Sequence, residues 1–389
     1  MNPRVAVVHP LLVAGGGSEA CALGTIQALQ DDHHVTLITM GRPDLPGLCS
    51  KYRSEIDLAK LETRLLAIPP GMKARFDAMR GFPVARYCRR HARDFDVMIS
   101  SYNVMDFGVP GIQMIADFSF DDDLRRELDF AGGAAEGVFQ RPSAWRSIYL
   151  GLARAIAGDR EDGWKRNRTV ANSEWTADLL RQKFGLASAV VYPPVVGEFT
   201  AVPWDRREDG FVVMGRLVPE KGVPLIIEIL SEVRKVNPVH LHIIGRRSQT
   251  AYARGLEGLC RQQGDWVHLE WDKYGAEKEA LLAGHKYGIS GRRAESFGIA
   301  VAEMVKAGMV VWVPDRGGQT EIVAEAGLMF SGREDAVARI LHVVGDPILE
   351  SGLREHLERR AAAFSLARFV ADMRTIVRDF LKEGHGHGV

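Results

Sequence analysis

Short β-branched runs alternate with helix-forming stretches along most of this chain. Strands are predicted at Arg4–His9, Val35–Met40, Val97–Ser101, Ile112–Ala116, Thr169–Asn172, Val190–Tyr192, Phe211–Gly215, Leu241–Gly245 and Trp266–Glu270. When a helix follows each strand, the next strand returns to the same sheet in parallel, through a right-handed crossover. The alternation therefore predicts an α/β protein with doubly wound parallel sheets.

Length and local sequence indicate two domains. The 389 residues are enough for two hydrophobic cores of ordinary size. Tyr192, Pro193, Pro194 and Val195 interrupt regular structure where one domain would end. We expect the first domain at residues 1–198 and the second at 199–365.

Composition narrows the class of protein. The 50 acidic and 50 basic residues balance, so no global field attracts nucleic acid. The four cysteines show no metal-ligand spacing, which fits a reducing cytoplasm. No signal peptide and no membrane-spanning segment is recognised in the sequence. The His-containing end after Gly384 is interpreted as a flexible tail rather than a metal site.

The segment Gly291–Val313 contains an apolar helix and a strand with two acidic residues. Ile299–Ala307 is predicted to be a buried helix, and Gly308 is placed to end it in a left-handed conformation. A carboxylate in such surroundings is costly without a hydrogen-bond partner, so Glu295 and Glu303 need partners. Eight helical residues rise about 12 Å, the span from hexose to ribose in a nucleotide sugar.

Backbone amides near the start of this helix suit an anion such as a diphosphate. They belong to Phe297, Gly298 and Ile299. Glu-x7-Glu around Phe-Gly resembles the signature of the retaining glycosyltransferases with the GT-B fold, glycosyltransferase family four. The resemblance implies that Glu295 contacts the donor hexose and Glu303 binds the ribose. The competing interpretation is that Glu303 only pairs with a neighbouring arginine or lysine.

A second motif precedes a helix in the second half of the chain. Gly215, Arg216, Lys221 and Gly222 resemble the Gly-Arg-x4-Lys-Gly motif of the same family. The resemblance implies that Arg216 and Lys221 hold the donor diphosphate and neutralise it as it leaves. Arg216 would do so through its planar, forked guanidinium group and Lys221 through its ammonium charge. Gly317 and Gly318 resemble a further family segment and are expected to serve a turn and a close approach.

A glycine loop follows the first predicted strand. Strand, glycine loop and helix is an arrangement that brings phosphate to backbone amides. An NAD site is disfavoured because the spacing is not Gly-x-Gly-x-x-Gly and the next strand does not end in an acidic residue. The resemblance assigns Gly16 and Gly17 to the donor diphosphate or the acceptor.

The first domain departs from the family at one position. Many members have a histidine immediately before an aspartate near the reacting bond, and this chain has Ala116 before Asp117. Asp117 is retained as a candidate acceptor or catalytic residue. Asp121, Asp122 and Asp123 could hold a divalent cation, but acidic residues that favour a helix N-terminus explain them better.

Residues 73–93 mix basic and aromatic side chains. The segment contains Lys73, Arg75, Arg80, Arg86, Arg89, Arg90 and Arg93. A membrane or lipid-diphosphate contact is one interpretation, and a solvated helix face is the other.

Taken together, the resemblance implies two Rossmann-like domains facing across a cleft, the first for the acceptor and the second for the nucleotide sugar. Helix 366–382 would pack back on the first domain. The implied reaction is retaining hexosyl transfer to a hydroxyl of a glycan, lipid-linked or small-molecule acceptor, with no metal and no cofactor. Two alternatives are a degenerate GT-B protein that binds without turnover and a GT-B epimerase or phosphorylase.

Overall fold

The computed structural model describes residues 2–12, 16–67, 77–130, 151 and 162–385. These residues form two compact units. The first comprises described residues of Met1–Leu124, Gly137–Pro194 and Leu366–Val389, and the second those of Arg125–Glu136 and Val195–Ser365. Lys73 and Arg75 of the basic segment and the last four residues of the His-containing tail lie outside the described residues.

The first unit contains a seven-stranded sheet whose pairings are all parallel. Its strands are β1 (Arg4–Val8), β2 (His34–Met40), β3 (Glu62–Leu66), β4 (Val97–Ser100), β5 (Ile112–Ile115), β6 (Arg168–Ala171) and β7 (Ser188–Val190). Their order is β3-β2-β1-β4-β5-β6-β7. The order reverses direction between β1 and β4, which is the topological switch point of a doubly wound fold.

The second unit repeats this topology with six parallel strands. They are β8 (Glu208–Met214), β9 (His240–Gly245), β10 (Val267–Trp271), β11 (His285–Ile289), β12 (Val310–Pro314) and β13 (Met329–Phe330). The order β10-β9-β8-β11-β12-β13 places the switch point between β8 and β11.

Helices connect these strands. Those of the first half are α1 (Gly17–Leu29), α2 (Leu45–Tyr52), α3 (Asp77–Arg90), α4 (Asp122–Phe130) and α5 (Glu174–Phe184). The others are α6 (Val223–Val233), α7 (Ala251–Gln262), α8 (Gly275–Gly284), α9 (Ile299–Lys306), α10 (Gln319–Val323), α11 (Arg333–Val343), α12 (Pro347–Ala361) and α13 (Leu366–His385). Serine after the strand predicted at Thr169–Asn172 indicates an N-cap at Ser173. The structure confirms it, since the Ser173 side chain accepts a hydrogen bond from the Thr176 amide at α5.

The cores follow the apolar pattern of the strands. In the second unit, Phe211, Tyr287 and Trp312 come from three neighbouring strands and are almost fully buried. Their ring centroids lie 5.1 Å apart for Phe211 and Tyr287 and 5.8 Å apart for Phe211 and Trp312. Aromatic pairs at such distances add about 0.5–1.5 kcal/mol to the stabilisation from burial. This packing gives the switch point rigid support.

The final helix, α13, packs against α1. An ideal Cβ on Gly24 would lie 2.8 Å from Cε1 of Phe369, so glycine is needed for this approach. Arg374 also donates a hydrogen bond from Nε to the Ala28 carbonyl at 2.6 Å. The first unit therefore includes the end of the described chain.

The sequence prediction missed or misplaced strands at the sheet edges. β3 was not predicted, and its residues are mostly exposed and partly charged. The strand expected at Val190–Tyr192 is Ser188–Val190, and β13 has only two residues. Edge strands bury one side at most, so their apolar pattern is weak.

Candidate active site

The loops that follow β8, β11 and β12 carry the residues of both second-half motifs. Arg216 and Lys221 follow β8, Glu295 follows β11, and Gly317 follows β12. These strands are adjacent and parallel, so their carboxyl ends meet at one edge of the sheet, beside the switch point. That edge is where open α/β sheets bind their ligands.

The two motifs meet through a charged contact. Lys221 donates a hydrogen bond from Nζ to Oε2 of Glu295 at 2.5 Å, and both side chains are less than one-fifth exposed. On the other oxygen of the same carboxylate, Arg292 Nη1 lies 3.9 Å from Oε1. The structure therefore brings together two of the three residues predicted to be catalytic.

Charge outweighs burial at Glu295. Burial alone would raise the pKa of its carboxyl group. The positive charges of Lys221, Arg292 and Arg216, with the hydrogen bond from Lys221, lower it further than burial raises it, so the pKa lies below its ordinary value. Glu295 is therefore ionised at neutral pH.

Close backbone contacts hold the two motifs together. Gly222 has φ +63°, and an ideal Cβ there would lie 2.8 Å from the Gly291 carbonyl oxygen. Gly215 has φ +146°, and its ideal Cβ would lie 3.3 Å from Cε of Lys221. A side chain at Gly222 would meet both strain and a backbone clash. These glycines fix the position of Lys221 relative to the loop after β11.

Gly317 and Gly318 serve the turn and close approach that the sequence predicted. Gly317 has φ +97°, and its ideal Cβ would lie 2.7 Å from the Glu295 carbonyl oxygen. The Gly318 amide donates a hydrogen bond to that same oxygen at 2.8 Å. The loop after β12 therefore holds the backbone of Glu295 through two successive glycines.

Helix α9 begins at the predicted residue, Ile299, and ends one residue before the predicted end, at Lys306. Gly298 is its N-cap with φ +104°, and Gly308 has φ +78° beyond its end. The Met309 amide donates to the Met304 carbonyl at 3.2 Å and the Gly308 amide to Val305 at 2.9 Å, as in a glycine-capped helix end. Phe297 is buried, with its ring centroid 5.5 Å from that of Phe364.

The spacing of the two glutamates is not helical throughout, which corrects the prediction of eight helical residues between them. Residues 295–298 precede α9, and a left-handed glycine at 298 cannot continue a right-handed helix. The 12 Å rise therefore does not describe this segment. Because Gly298 has no side chain, it cannot cap the amides of the first turn of α9 as an N-cap serine or aspartate does.

Glu303 is paired. Lys278 of α8 donates from Nζ to both carboxylate oxygens of Glu303, each at 2.9 Å. The two side chains are 23% and 14% exposed, so the pair is mostly shielded from water. This is the contact that the competing interpretation of Glu303 expects. Lys278 was missed by sequence reasoning, since 25 residues separate the partners.

Arg216 differs from its neighbours in this loop because it is exposed. Its charge still contributes to the lowered pKa of Glu295, so it lies near that carboxylate. Arg292, the other cation near Glu295, was also missed by sequence reasoning. Its position three residues before Glu295 is a signal that was available.

In the first unit, Asp117 lies in a hydrogen-bonded turn. Its Oδ1 accepts from Nδ2 of Asn103 at 2.8 Å and from the Ser119 amide at 2.9 Å. Asn103 Oδ1 in turn accepts from the amides of Ala116 and Asp117. Asn103 is buried and has φ +57°, so this turn is held by a residue in a left-handed conformation.

The three aspartates after this turn begin a helix. Asp121 accepts through Oδ1 from the amides of Asp123 at 3.0 Å and Leu124 at 2.8 Å. That is the geometry of an N-cap on α4, which confirms the helix-start interpretation of the acidic triplet.

The glycine loop after β1 is occupied by an acidic side chain of its own helix. Gly16 is the N-cap of α1, and an ideal Cβ on it would lie 2.7 Å from Oε2 of Glu19. Burial raises the pKa of Glu19, while hydrogen bonds involving the backbone of Glu19 and Gly16 and the Ser18 side chain offset part of that rise. Ligand contacts of Gly16 and Gly17 stay a prediction. Glu19 was missed by sequence reasoning.

Helix α3 covers much of the basic segment 73–93. Val84, Ala85 and Cys88 face the core of the first unit. Arg89 donates to Oδ2 of Asp106 at 3.1 Å. Arg86, Arg90 and Arg93 are exposed. Membrane contact through this segment stays a prediction. Among the described helices, none has the length and apolar content needed to cross a bilayer.

Comparison with solved structures identifies the architecture. Anabaena Alr3699/HepE in complex with UDP and glucose superposes with a TM-score of 0.66, at 14% identity over 98% of this chain and 99% of that one. WaaG, a glycosyltransferase involved in lipopolysaccharide biosynthesis, gives a TM-score of 0.68 at 16% identity over 96% and 99% of the two chains. The chain has the GT-B fold.

A third GT-B structure and a family model agree with this. Sucrose-phosphate synthase from Thermosynechococcus elongatus gives a TM-score of 0.68 at 17% identity, covering 98% of this chain and 100% of that one. Residues 198–364 match the family model described as glycosyl transferases group 1. That segment includes most of the second GT-B unit and both second-half motifs. No curated protein sequence matches this chain.

Proposed function

We propose that this GT-B protein is a retaining glycosyltransferase. It transfers a hexosyl group from a nucleotide-diphosphate sugar to a hydroxyl acceptor, which is a glycan, a lipid-linked glycan or a small molecule. The observation that carries this proposal is the contact between Lys221 and Glu295 at the switch point of the second sheet. It joins an anion-binding cation to a sugar-binding carboxylate beside a helix start whose N-cap is glycine.

The cations stabilise the leaving group. As the bond from the sugar to the diphosphate breaks, negative charge grows on the diphosphate oxygens. Lys221 and Arg216 are the proposed catalytic partners of that charge, and the first-turn amides of α9 add to them. Because these groups supply positive charge from the protein itself, the proposed reaction needs no metal ion. In the proposed mechanism a donor phosphate oxygen takes the acceptor proton on the face that the diphosphate leaves, which retains the anomeric configuration.

The carboxylates orient the sugar and the ribose. Glu295 is ionised, so both of its oxygens are hydrogen-bond acceptors for hexose hydroxyls. When the diphosphate binds, Lys221 can turn from Glu295 toward phosphate, which frees one carboxylate oxygen for the sugar. Glu303 also accepts hydrogen bonds, here from the ribose hydroxyls, while its carboxylate stays paired with Lys278. The amides of Phe297, Gly298 and Ile299 contact the sugar and the diphosphate.

The first unit binds the acceptor in this proposal. Gly16 and Gly17 approach the donor diphosphate or the acceptor, and the Glu19 carboxylate is the group that an anion there would displace. Asp117 is the candidate acceptor or catalytic residue. Its Oδ1 is committed to Asn103 and Ser119, which fixes the carboxylate in one orientation.

A UDP-sugar is the first donor to test, because HepE structures contain UDP with glucose and UDP-glucose. We place the protein in the cytoplasm, with a peripheral contact to anionic membrane through residues 73–93. That contact is tested by sedimentation with vesicles containing anionic lipid, compared with neutral vesicles. Equal sedimentation with both would contradict it.

The second candidate function is binding of a nucleotide sugar without turnover. It is favoured by Ala116 in place of the family histidine and by the lysine pairing of both glutamates. The deciding experiment measures nucleoside diphosphate released from a panel of UDP- and GDP-sugars, with and without hydroxyl acceptors. Release that depends on acceptor, with an α-linked product from an α-linked donor, supports the proposal. Binding with no release in any combination would favour the second candidate.

A further inference from the structure

Four histidines cluster at the amino-end part of the second sheet, away from the loops discussed above. His240 and His242 lie on β9, His268 on β10 and His285 at the start of β11. The ring centroids of His240, His242 and His285 are 4.6–5.2 Å apart. Histidine is the commonest protein ligand of zinc and similar metal ions, so three rings this close require an explanation.

The rings of His240 and His285 lie close to a glycine of the strand between them. Gly210 of β8 pairs with His240 of β9. An ideal Cβ on Gly210 would lie 2.3 Å from Nε2 of His240 and 2.7 Å from Cδ2 of His285. A side chain at this position would clash with both rings. Glycine therefore allows the two imidazole rings to lie close together over β8.

Hydrogen bonds fix the protonation of two rings. His285 Nδ1 lies 2.6 Å from the Leu281 carbonyl, and His242 Nδ1 lies 3.0 Å from a carboxylate oxygen of Glu270. A carbonyl and a carboxylate only accept, so Nδ1 carries the proton in both rings. In the tautomer with the proton on Nδ1, Nε2 has a free lone pair. This second partner on Nδ1 is the arrangement that orients metal-binding histidines.

One of these lone pairs is buried without a partner. His285 is 4% exposed, and its Nε2 has no hydrogen-bond partner among the described residues. A buried polar atom without a partner destabilises the folded state, and a ligand at Nε2 would remove that cost.

We propose that His240, His242 and His285 bind one divalent transition-metal ion, with zinc as the expected ion. One potential ligand atom of each residue lies within 4.8 Å of those of the others. Tetrahedral zinc with Zn–N bonds of 2.0–2.1 Å brings its ligands to about 3.3 Å apart, so small side-chain rotations complete the site. Glu208, whose Oε2 lies 3.4 Å from Nε2 of His240, offers the fourth ligand.

The ion has a structural role in this proposal. Glu208 begins β8 and Arg216 follows its end, so about eight residues at roughly 3.3 Å each put the two places about 25 Å apart along the strand. The ion would cross-link β9 and β11 over the intervening β8, at the opposite end from the proposed nucleotide-sugar site. This site is independent of the proposed transferase reaction.

The test measures zinc bound by the full chain in which the tail histidines are removed, as H385A/H387A. After chelation and dialysis, elemental analysis should find one zinc per chain on reconstitution, and cobalt should give the visible absorption of a tetrahedral site. In that background His240→Gln and His242→Gln should each weaken zinc binding at least tenfold. The matched control is His34→Gln, at the start of β2 in the other sheet, which should leave binding unchanged.

X-ray absorption at the zinc edge keeps the test decisive if a variant misfolds. The zinc-loaded parent should show imidazole nitrogens at about 2.0–2.1 Å, with at least three of them. Three results would each overturn the proposal. They are less than one zinc per chain in the H385A/H387A parent, a sulfur ligand in the spectrum, or undiminished zinc affinity in a folded His240→Gln protein.

Discussion

Helices α1 and α9 both begin after an N-cap glycine, but the charged groups near their first turns differ. Each follows a strand of a parallel sheet and has glycine at its N-cap, which has no side chain to accept an amide hydrogen bond. In α1, Glu19 is the third helical residue and its carboxylate turns back to Gly16, as in half of a capping box. In α9 the third residue is Val301, and the nearby Glu295 is held by Lys221 instead.

The pKa values of the two glutamates separate for this reason. Burial raises the pKa of Glu19, with Lys51 as a more distant positive charge. Burial acts the same way on Glu295, but three cations reverse its effect and lower the pKa. A glycine at a helix start therefore does not by itself make an anion-binding site. The first turn of α1 is served by its own carboxylate, while that of α9 lies beside cations.

The largest expected effect comes from removing the central cation at α9. Lys221→Met should lower turnover of the nucleotide sugar about 10²–10³-fold, the cost of losing one strong donor to a developing anion. Lys51→Met is the matched change beside Glu19 and should leave turnover within about twofold. Steady-state release of nucleoside diphosphate measures both variants.

Two results would break the distinction between the helix starts. One is an equal loss of turnover in both lysine variants. The other is full activity in a folded Lys221→Met protein, with thermal unfolding as the check on folding.

The next effect tests what the pairing of Glu303 means. Glu303→Ala should weaken nucleoside diphosphate affinity about 10–100-fold, since hydrogen bonds to a charged group contribute about 1.5–3 kcal/mol. Glu295→Ala should lower turnover more than nucleotide affinity, because it contacts the sugar. Calorimetric titration with the diphosphate, alongside turnover, separates the two.

Lys278→Ala is the control for this experiment, because it removes the partner and leaves the carboxylate. If Glu303 served only as a salt-bridge partner, Lys278→Ala and Glu303→Ala would change stability alike and leave nucleotide affinity untouched. That pattern would support the structural interpretation of Glu303.

The sequence predicted the elements that depend on local chemistry. Gly308 ends α9 in the left-handed conformation, and Ser173 caps α5, because both features need only neighbouring residues. The partner of Glu303 could not be predicted, since Lys278 lies on a different helix, α8, 25 residues away in the sequence. The helical spacing before Gly298 was wrong because that glycine has a positive φ.

The histidine cluster shows the same limit. Alternation of His240 and His242 along β9 was visible in the sequence and places both side chains on one face. His285 joins them only because β8 lies between β9 and β11 in the sheet order. Pairing with Gly210 then lets the rings of His240 and His285 approach each other without a clash from β8. Neither the order nor the register can be derived from spacing.

The smallest expected effect is a pH-dependent change in stability, and it tests the opposite pKa shifts of Glu19 and Glu295 directly. A carboxyl whose pKa is raised on folding destabilises the native state when ionised, and one whose pKa is lowered stabilises it. At pH 7, Glu19→Gln should therefore raise the melting temperature and Glu295→Gln should lower it, each by about 2 °C or more. Thermal unfolding across a pH series measures both differences.

Both differences should shrink in acid, over different ranges. The Glu19→Gln difference should fade as pH decreases from the raised pKa of Glu19 toward the ordinary value of 4.5, below which folded and unfolded states are both protonated. The Glu295→Gln difference should begin to fade only near 4.5 and disappear below the lowered folded pKa. Melting-temperature changes of the same sign for the two variants at pH 7 would contradict the opposite pKa shifts of Glu19 and Glu295. Only pKa shifts in opposite directions produce opposite changes in stability.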